Sequence, residues 1–176
     1  MSASHVVLLR AVNVGGAKLP MAELRELATD LGATEVSTFI ASGNLICRAP
    51  KDVKAFGAAL EKAIEAKYGF YRECIIRTRA ELKEARENYP FDVDDPKNGH
   101  IVFLLGRPAK AAIEKARDIE TGADRWEVIG QEWHIRYDHG AGRADMKTAA
   151  IQKALGVPGT SRNLRTVDKL IELVTS

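Results

Sequence analysis

Arg10, Asn13, Gly15, Gly16 and Lys18 crowd into one short segment directly behind the apolar run Val6-Val7-Leu8-Leu9. A guanidinium and an ammonium bring positive charge, an amide brings neutral hydrogen bonds, and adjacent glycines let a ligand approach the backbone. Pro20 follows at a favourable first-turn position, so the free N–H groups of a helix start would face the same segment and favour an anion. A second polar cluster, Ser42-Gly43-Asn44, adds a hydroxyl and an amide. Together these residue types form a candidate cradle for a phosphate or a carboxylate. A bland alternative stays open, because Gly, Asn and Ser build tight turns and hairpins with no ligand at all.

Other chemistry fails on spacing. His5, His100, His134 and His139 form neither HExxH nor a paired metal spacing, so structural or exposed roles are expected and no metal. Asp92, Asp94 and Asp95 do not make a calcium loop, since Pro96 holds the fifth position and no glutamate stands at the twelfth. They read as a solvated linker. Phe39-Ile40-Ala41 before Ser42 is not a nucleophile elbow. The glycine loop is neither GxGxxG nor a Walker A, so no cofactor is expected. Cys47 and Cys74 lack CxxC spacing and read as buried free thiols.

The elements that must position the cradle follow from periodicity. Val6 to Leu9 is apolar on both faces, as in a central strand. Leu24, Leu27, Ala28 and Leu31 recur at helical spacing before Gly32. Val36 to Ile40 and Leu45 to Arg48 predict strands around the Ala41–Asn44 turn. A second helix carries Val53, Phe56, Leu60, Ala63 and Ile64 on one face and ends at Gly69. Glu73 to Thr78 predicts a fourth strand. This β-α-β-β-α-β order is the split βαβ, or ferredoxin-like, unit. In it the first two strands run in parallel through a right-handed crossover, with the third between them running back. The loop after the first strand and the hairpin after the second then share one end of the sheet, which brings Asn13 to Lys18 beside Ser42 to Asn44.

Thr78-Arg79-Ala80-Glu81 has capping-box spacing and starts a helix to about Asn88. Beyond it, Ile101–Leu105, a helix from Pro108, a hairpin of Trp126–Ile129 and Trp133–Tyr137, a helix capped by Asp145, and a last helix from about Asn163 predict a second, incomplete βαββα half. The fold class is therefore α+β with two ferredoxin-like halves. The expected division is 1–78 as the first half, 79–99 as helix and linker, and 100–176 as the second half with C-terminal helices, in one compact unit, with no detectable sequence repeat.

Bulk properties narrow the function classes. The 176 residues are 45% hydrophobic and 28% charged, which fits a globular domain. Lys and Arg number 26 against 24 Asp and Glu, a net charge of +2 without the dense positive field of a strong nucleic-acid binder. The predicted first and third strands hold no Phe, Tyr or Trp, so the base-stacking surface of an RNA-recognition motif is missing. No apolar run approaches the roughly 20 residues of a membrane span. With no leader segment and no cysteine framework, a reduced, cytoplasmic setting is expected.

Four motifs in order also carry a resemblance: Leu9-Arg10-Ala11-Val12-Asn13-Val14-Gly15-Gly16, Met21-Ala22-Glu23-Leu24-Arg25, Ser42-Gly43-Asn44, and Thr160-Ser161-Arg162-Asn163 with Thr166-Val167 and Lys169-Leu170. The chain resembles the bacterial domain of unknown function 1697 family over almost its whole length. Ala11, Ala41 and Leu164-Arg165 stand where that family usually has Gly, Gln and Trp-Asn. The resemblance implies an α+β protein with ferredoxin-like halves and no established activity. It also draws in Arg162 and Asn163. Asn163 either caps the last helix, with Arg162 a solvated charge, or the pair completes an anion clamp. The candidate ligand-binding set is thus Arg10, Asn13, Gly15, Gly16, Lys18, Ser42, Asn44, Arg162 and Asn163. Three readings stand: a binding or regulatory protein for a small anion, an enzyme on a phosphorylated or carboxylated metabolite, and an interaction protein with purely structural motifs. No general base or nucleophile is visible for the second.

Overall fold

Much of the buried apolar core of the first part lies on two helices and the strands beneath them. The computed structural model describes residues 3–13 and 15–174. In its first part, β1 (Ser4–Leu9), β2 (Thr34–Thr38), β3 (Asn44–Arg48) and β4 (Cys74–Thr78) form an antiparallel sheet in the order β2-β3-β1-β4. Helices α1 (Met21–Asp30) and α2 (Val53–Tyr68) complete the split βαβ unit. Val7 and Leu9 of β1, with Leu45 and Cys47 of β3, face Leu24 and Ala28 of α1 and Phe56, Leu60 and Ile64 of α2. Asp52 caps α2 by accepting from Ala55 N at 3.0 Å. The capping box read from Thr78 and Glu81 opens α3 (Arg79–Glu87): Glu81 N donates to Thr78 Oγ1 at 3.1 Å and Thr78 N to Glu81 Oε2 at 2.7 Å.

The second part has the same order. Its strands β5 (Gly99–Leu104), β6 (Arg125–Ile129), β7 (Glu132–Arg136) and β8 (Gly159–Asn163) pair as β6-β7-β5-β8, with α4 (Lys110–Ala116) and α5 (Thr148–Leu155) interleaved and α6 (Leu164–Leu173) last. This half is a complete βαββαβ, which corrects the expected loss of a strand. The missed strand is Gly-Thr-Ser-Arg-Asn and has no apolar alternation. It exists because it pairs with β5, from His100 opposite Asn163 to Leu104 opposite Gly159, and buries Thr160 and Arg162. The expected cap of α5 also moves. Lys147 stands at that position, and Asp145 instead accepts from Ala123 N.

Asp124, fully buried, organises the loops of this half. Its carboxylate accepts from Asp138 N at 2.8 Å, Asp145 N at 2.7 Å and Met146 N at 3.0 Å. His134 is also fully buried, and neither of its ring nitrogens has a partner. Tyr89 meets that ring edge-on at 5.7 Å between centroids.

The chain divides into two units, Met1–Lys83 with Lys169–Ser176, and Glu84–Asp168. Both divisions fall inside helices, α3 and α6. Strand β2 lies two residues earlier than Val36–Ile40 suggests. A register shift between Thr34 and Ser37 accommodates Glu35 at φ +50°. At the other end Ile40 leaves the strand at φ +52° and is 51% exposed.

Candidate functional site

The end of the first sheet at which β1 stops gathers three segments. Leu9 N donates to Gly43 O at 2.9 Å, which fastens the β2–β3 hairpin to β1. Arg10 N donates to Glu73 O at 3.1 Å, which fastens the segment entering β4. Topology dictates this meeting, since β3 and β4 flank β1.

The loop of residues 10–20 is braced from within. Asn13 N donates to Ala17 O at 2.7 Å, and Asn13 Oδ1 accepts from Leu19 N at 2.9 Å. Its Nδ2 donates to Leu19 O at 3.1 Å and to Ala41 O, across to the hairpin. Asn13 therefore spends its amide on shape. Asn44 does the same: it is fully buried, and its Nδ2 donates to Phe39 O at 2.9 Å and Ser42 Oγ at 3.1 Å. Both segments hold non-glycine residues in the left-handed region: Ala11 (φ +52°), Asn13 (φ +57°) and Ile40 (φ +52°). A β-branched residue there is unusual and persists only where the surroundings over-determine it.

Gly43 shows how close the approach is. At φ +88°, a Cβ on it would lie 2.6 Å from Val12 Cγ2 and 3.0 Å from Leu9 Cβ. Gly15 and Gly16 also have positive φ, but a Cβ on either would meet nothing within 4 Å. The side on which a side chain would stand is open at both.

Charge collects around this rim. Arg10 pairs with Glu73 at 3.3 Å while its side chain stays 41% exposed. Lys18 is exposed. Arg72 Nε donates to Ala11 O at 3.1 Å, with its guanidinium 5.1 Å from the centre of the Phe70 ring. Arg25 Nη1 donates to Thr38 Oγ1 at 2.6 Å, where the hairpin leaves β2. The start of α1 has Pro20 at its cap position and no side-chain cap. Glu23 lies in that first turn, and the Tyr68 hydroxyl, helped by Lys67, holds its carboxyl below the usual range. On this rim Glu73 is the acid beside Arg10, and Glu61 accepts from Tyr71 OH at 2.7 Å and Cys74 N at 2.9 Å.

Sequence reasoning brought Arg10, Asn13, Gly15, Gly16, Lys18, Ser42 and Asn44 to this end, and the first unit has them all there. It missed Arg25 and Arg72. Spacing holds no signal for them, but a β4 strand beside β1 would have landed Arg72 next to Arg10. Arg162 and Asn163 lie in the second unit. Arg162 is buried in β8, where its Nη1 donates to Thr160 Oγ1 at 2.6 Å and Ser161 O at 2.9 Å. Burial pushes its guanidinium down to about 10, which leaves it charged at neutral pH. Asn163 Oδ1 accepts from Thr166 N at 2.9 Å and caps α6.

The second unit supplies an internal reference. Leu104 N donates to Gln131 O at 2.9 Å and Leu105 N to Pro158 O at 2.9 Å, the counterparts of the two bonds that Leu9 and Arg10 make. The same frame is closed there by shorter connections. Residues 105–109 link β5 to α4 where 10–20 link β1 to α1, and 130–131 turn the hairpin where 39–43 do so in the first unit. The fold does not require the extra residues of the first unit.

Among the described residues no three His, Cys, Asp or Glu side chains are placed to hold a metal ion. No helix among them is long and apolar enough to cross a membrane.

The family model described as a protein of unknown function (DUF1697) matches residues 2–134. The chain belongs to this family. The family's description names no activity. The conserved bacterial protein SP0830 from Streptococcus pneumoniae has a similar structure, with a TM-score of 0.74, 24% identity and 98% of each chain covered. That likeness shows the fold. A crystal structure described as a putative glycine cleavage system transcriptional repressor aligns over 92% of this chain and 96% of its own, at 13% identity and a TM-score of 0.25. No curated protein matches.

Proposed function

We propose that the chain is a cytoplasmic binding protein, with a regulatory rather than catalytic role, for a small phosphate- or carboxylate-bearing ligand at this end of the first sheet. One observation carries the reading: the connections at this end are longer in the first unit than in the second, 10–20 against 105–109 and 39–43 against 130–131, and the longer loop holds Arg10, Gly15, Gly16 and Lys18. In this reading Gly15 and Gly16 present backbone N–H groups, and Lys18 and Arg10 supply charge. Arg25 and Arg72 deepen the positive field, and the uncapped start of α1 adds its dipole. Asn13, Ser42 and Asn44 hold the loop and the hairpin in register. Among the described residues of the rim none is set up as a nucleophile beside a base, which favours binding over catalysis.

The test is thermal stability against nucleotides, phosphosugars, carboxylic acids and coenzymes at fixed ionic strength. A ligand at a hundred times its Kd stabilises by about 2.7 kcal/mol, a rise of several degrees. One chemical class is expected to give that rise, and Lys18→Ala is expected to lose it while melting like the wild type when unliganded. No rise with any class, or a rise untouched by Lys18→Ala and Arg10→Ala, rules the reading out.

A further inference from the structure

We infer that the first unit has a second small-molecule site at the opposite end of its sheet, built around His5. A cavity of about 600 Å³ opens there, lined by His5, Gly32, Thr34, Arg48, Lys51 and Val53 among others. That volume suits a metabolite-sized ligand. The elements meeting at it are the N-terminal end of β1, the exit of α1, the end of β3 and the first turn of α2.

His5 is the observation that points to a ligand. Its residue is only 9% exposed, on the helix-covered side of β1 opposite Cys47. Its Nδ1 lies 2.9 Å from Ala3 O. A carbonyl only accepts, so Nδ1 carries the proton, and Nε2 is left as the ring's other polar atom. Among the described residues Nε2 has no partner, and it is not sealed off as the ring nitrogens of His134 are. A largely buried imidazole is thus held by one nitrogen on the wall of an open cavity. A hydroxyl or N–H of a ligand satisfies the other.

The charge around that ring is positive. Arg48, paired with Glu35 at 2.7 Å, and Lys51 line the cavity. The first turn of the sixteen-residue α2 starts at Val53 on the cavity wall. Asp52 occupies only the N–H of Ala55, and α2 has no other acidic residue in its first turn. The site therefore asks for two things in one small molecule: an anionic group beside Lys51, Arg48 and the helix start, and a hydroxyl within reach of His5. A phosphorylated sugar or polyol has both, and a sugar acid is the carboxylate version of the same chemistry.

Amide chemical-shift mapping with ribose 5-phosphate, gluconate, inorganic phosphate and ribose tests this on the full chain. The expected result is that ribose 5-phosphate or gluconate moves the Gly32, Thr34, Lys51 and Val53 amides, and binds at least tenfold more tightly than inorganic phosphate or ribose. Lys51→Ala should weaken that ligand at least fivefold. His5→Phe, which gives up only the bond to Ala3, should bring its affinity down to that of the group lacking the hydroxyls. Silence of these amides with all four probes overturns the inference. So do equal affinities for phosphate and ribose 5-phosphate, or a His5→Phe protein that folds and binds like the wild type. Shifts confined to residues 15–18 would overturn it while supporting the site at the other end of the sheet.

Discussion

Replacing Gly43 by alanine tests whether the hairpin and the β1–α1 loop are held together by shape. Two costs add. The left-handed backbone at φ +88° costs an alanine about 1–2 kcal/mol. The new methyl would sit 2.6 Å from Val12 Cγ2 and 3.0 Å from Leu9 Cβ. Val12 is buried and β-branched, so its rotamer cannot swing away freely, and the Leu9 Cβ is fixed by the β1 backbone. Overpacking of this kind costs about 1–3 kcal/mol. Gly43→Ala should therefore lose about 2–5 kcal/mol. Gly16→Ala has the same φ but no neighbour within 4 Å, so it should lose only the backbone share, about 1–2 kcal/mol. Urea unfolding of the two variants, compared at equal m-value, reads the difference directly. If Gly43→Ala costs no more than Gly16→Ala, the close docking of the hairpin on the loop is wrong, and with it the geometry of the proposed anion site.

The second unit makes two further predictions. His134 is neutral when folded, because burial pushes its pKa down to about 4 from 6.5. A depressed histidine stabilises the fold fully above about 6.5 and loses that contribution as pH falls through 4, by about 3 kcal/mol in all. Stability measured from pH 7 to pH 4 should fall faster in the wild type than in His134→Phe, and parallel curves would contradict the burial of a neutral ring. Asp124→Asn leaves at least one of three backbone N–H groups facing an amide NH2, so it should cost about 1–3 kcal/mol by chemical denaturation; no measurable loss would contradict the clip.

What the sequence disclosed depended on which residues carry local rules. Leu24 and Ala28 at helical spacing, and Thr78 with Glu81 as a capping box, were legible because periodicity and caps are local. The meeting of the 10–20 loop with the hairpin was legible because strand order in a split βαβ unit leaves little choice. Strand β8 was not legible, since Gly, Thr, Ser, Arg and Asn become a strand only against β5. Ile40 read as strand by type, but its φ of +52° takes it out of the strand ahead of the turn at 41–43. Asp124 and Arg72 were hidden for a common reason. Each owes its role to partners far along the chain, and no spacing records that.

Amide chemical-shift mapping with inorganic phosphate and a library-selected anion, at constant ionic strength, tests the proposed binding role most directly. A real site gives saturable shifts confined to Gly15, Gly16, Lys18 and the first turn of α1, abolished in Lys18→Ala with the rest of the spectrum unchanged. Shifts that grow linearly with concentration over every exposed lysine and arginine, and that survive Lys18→Ala, would contradict it.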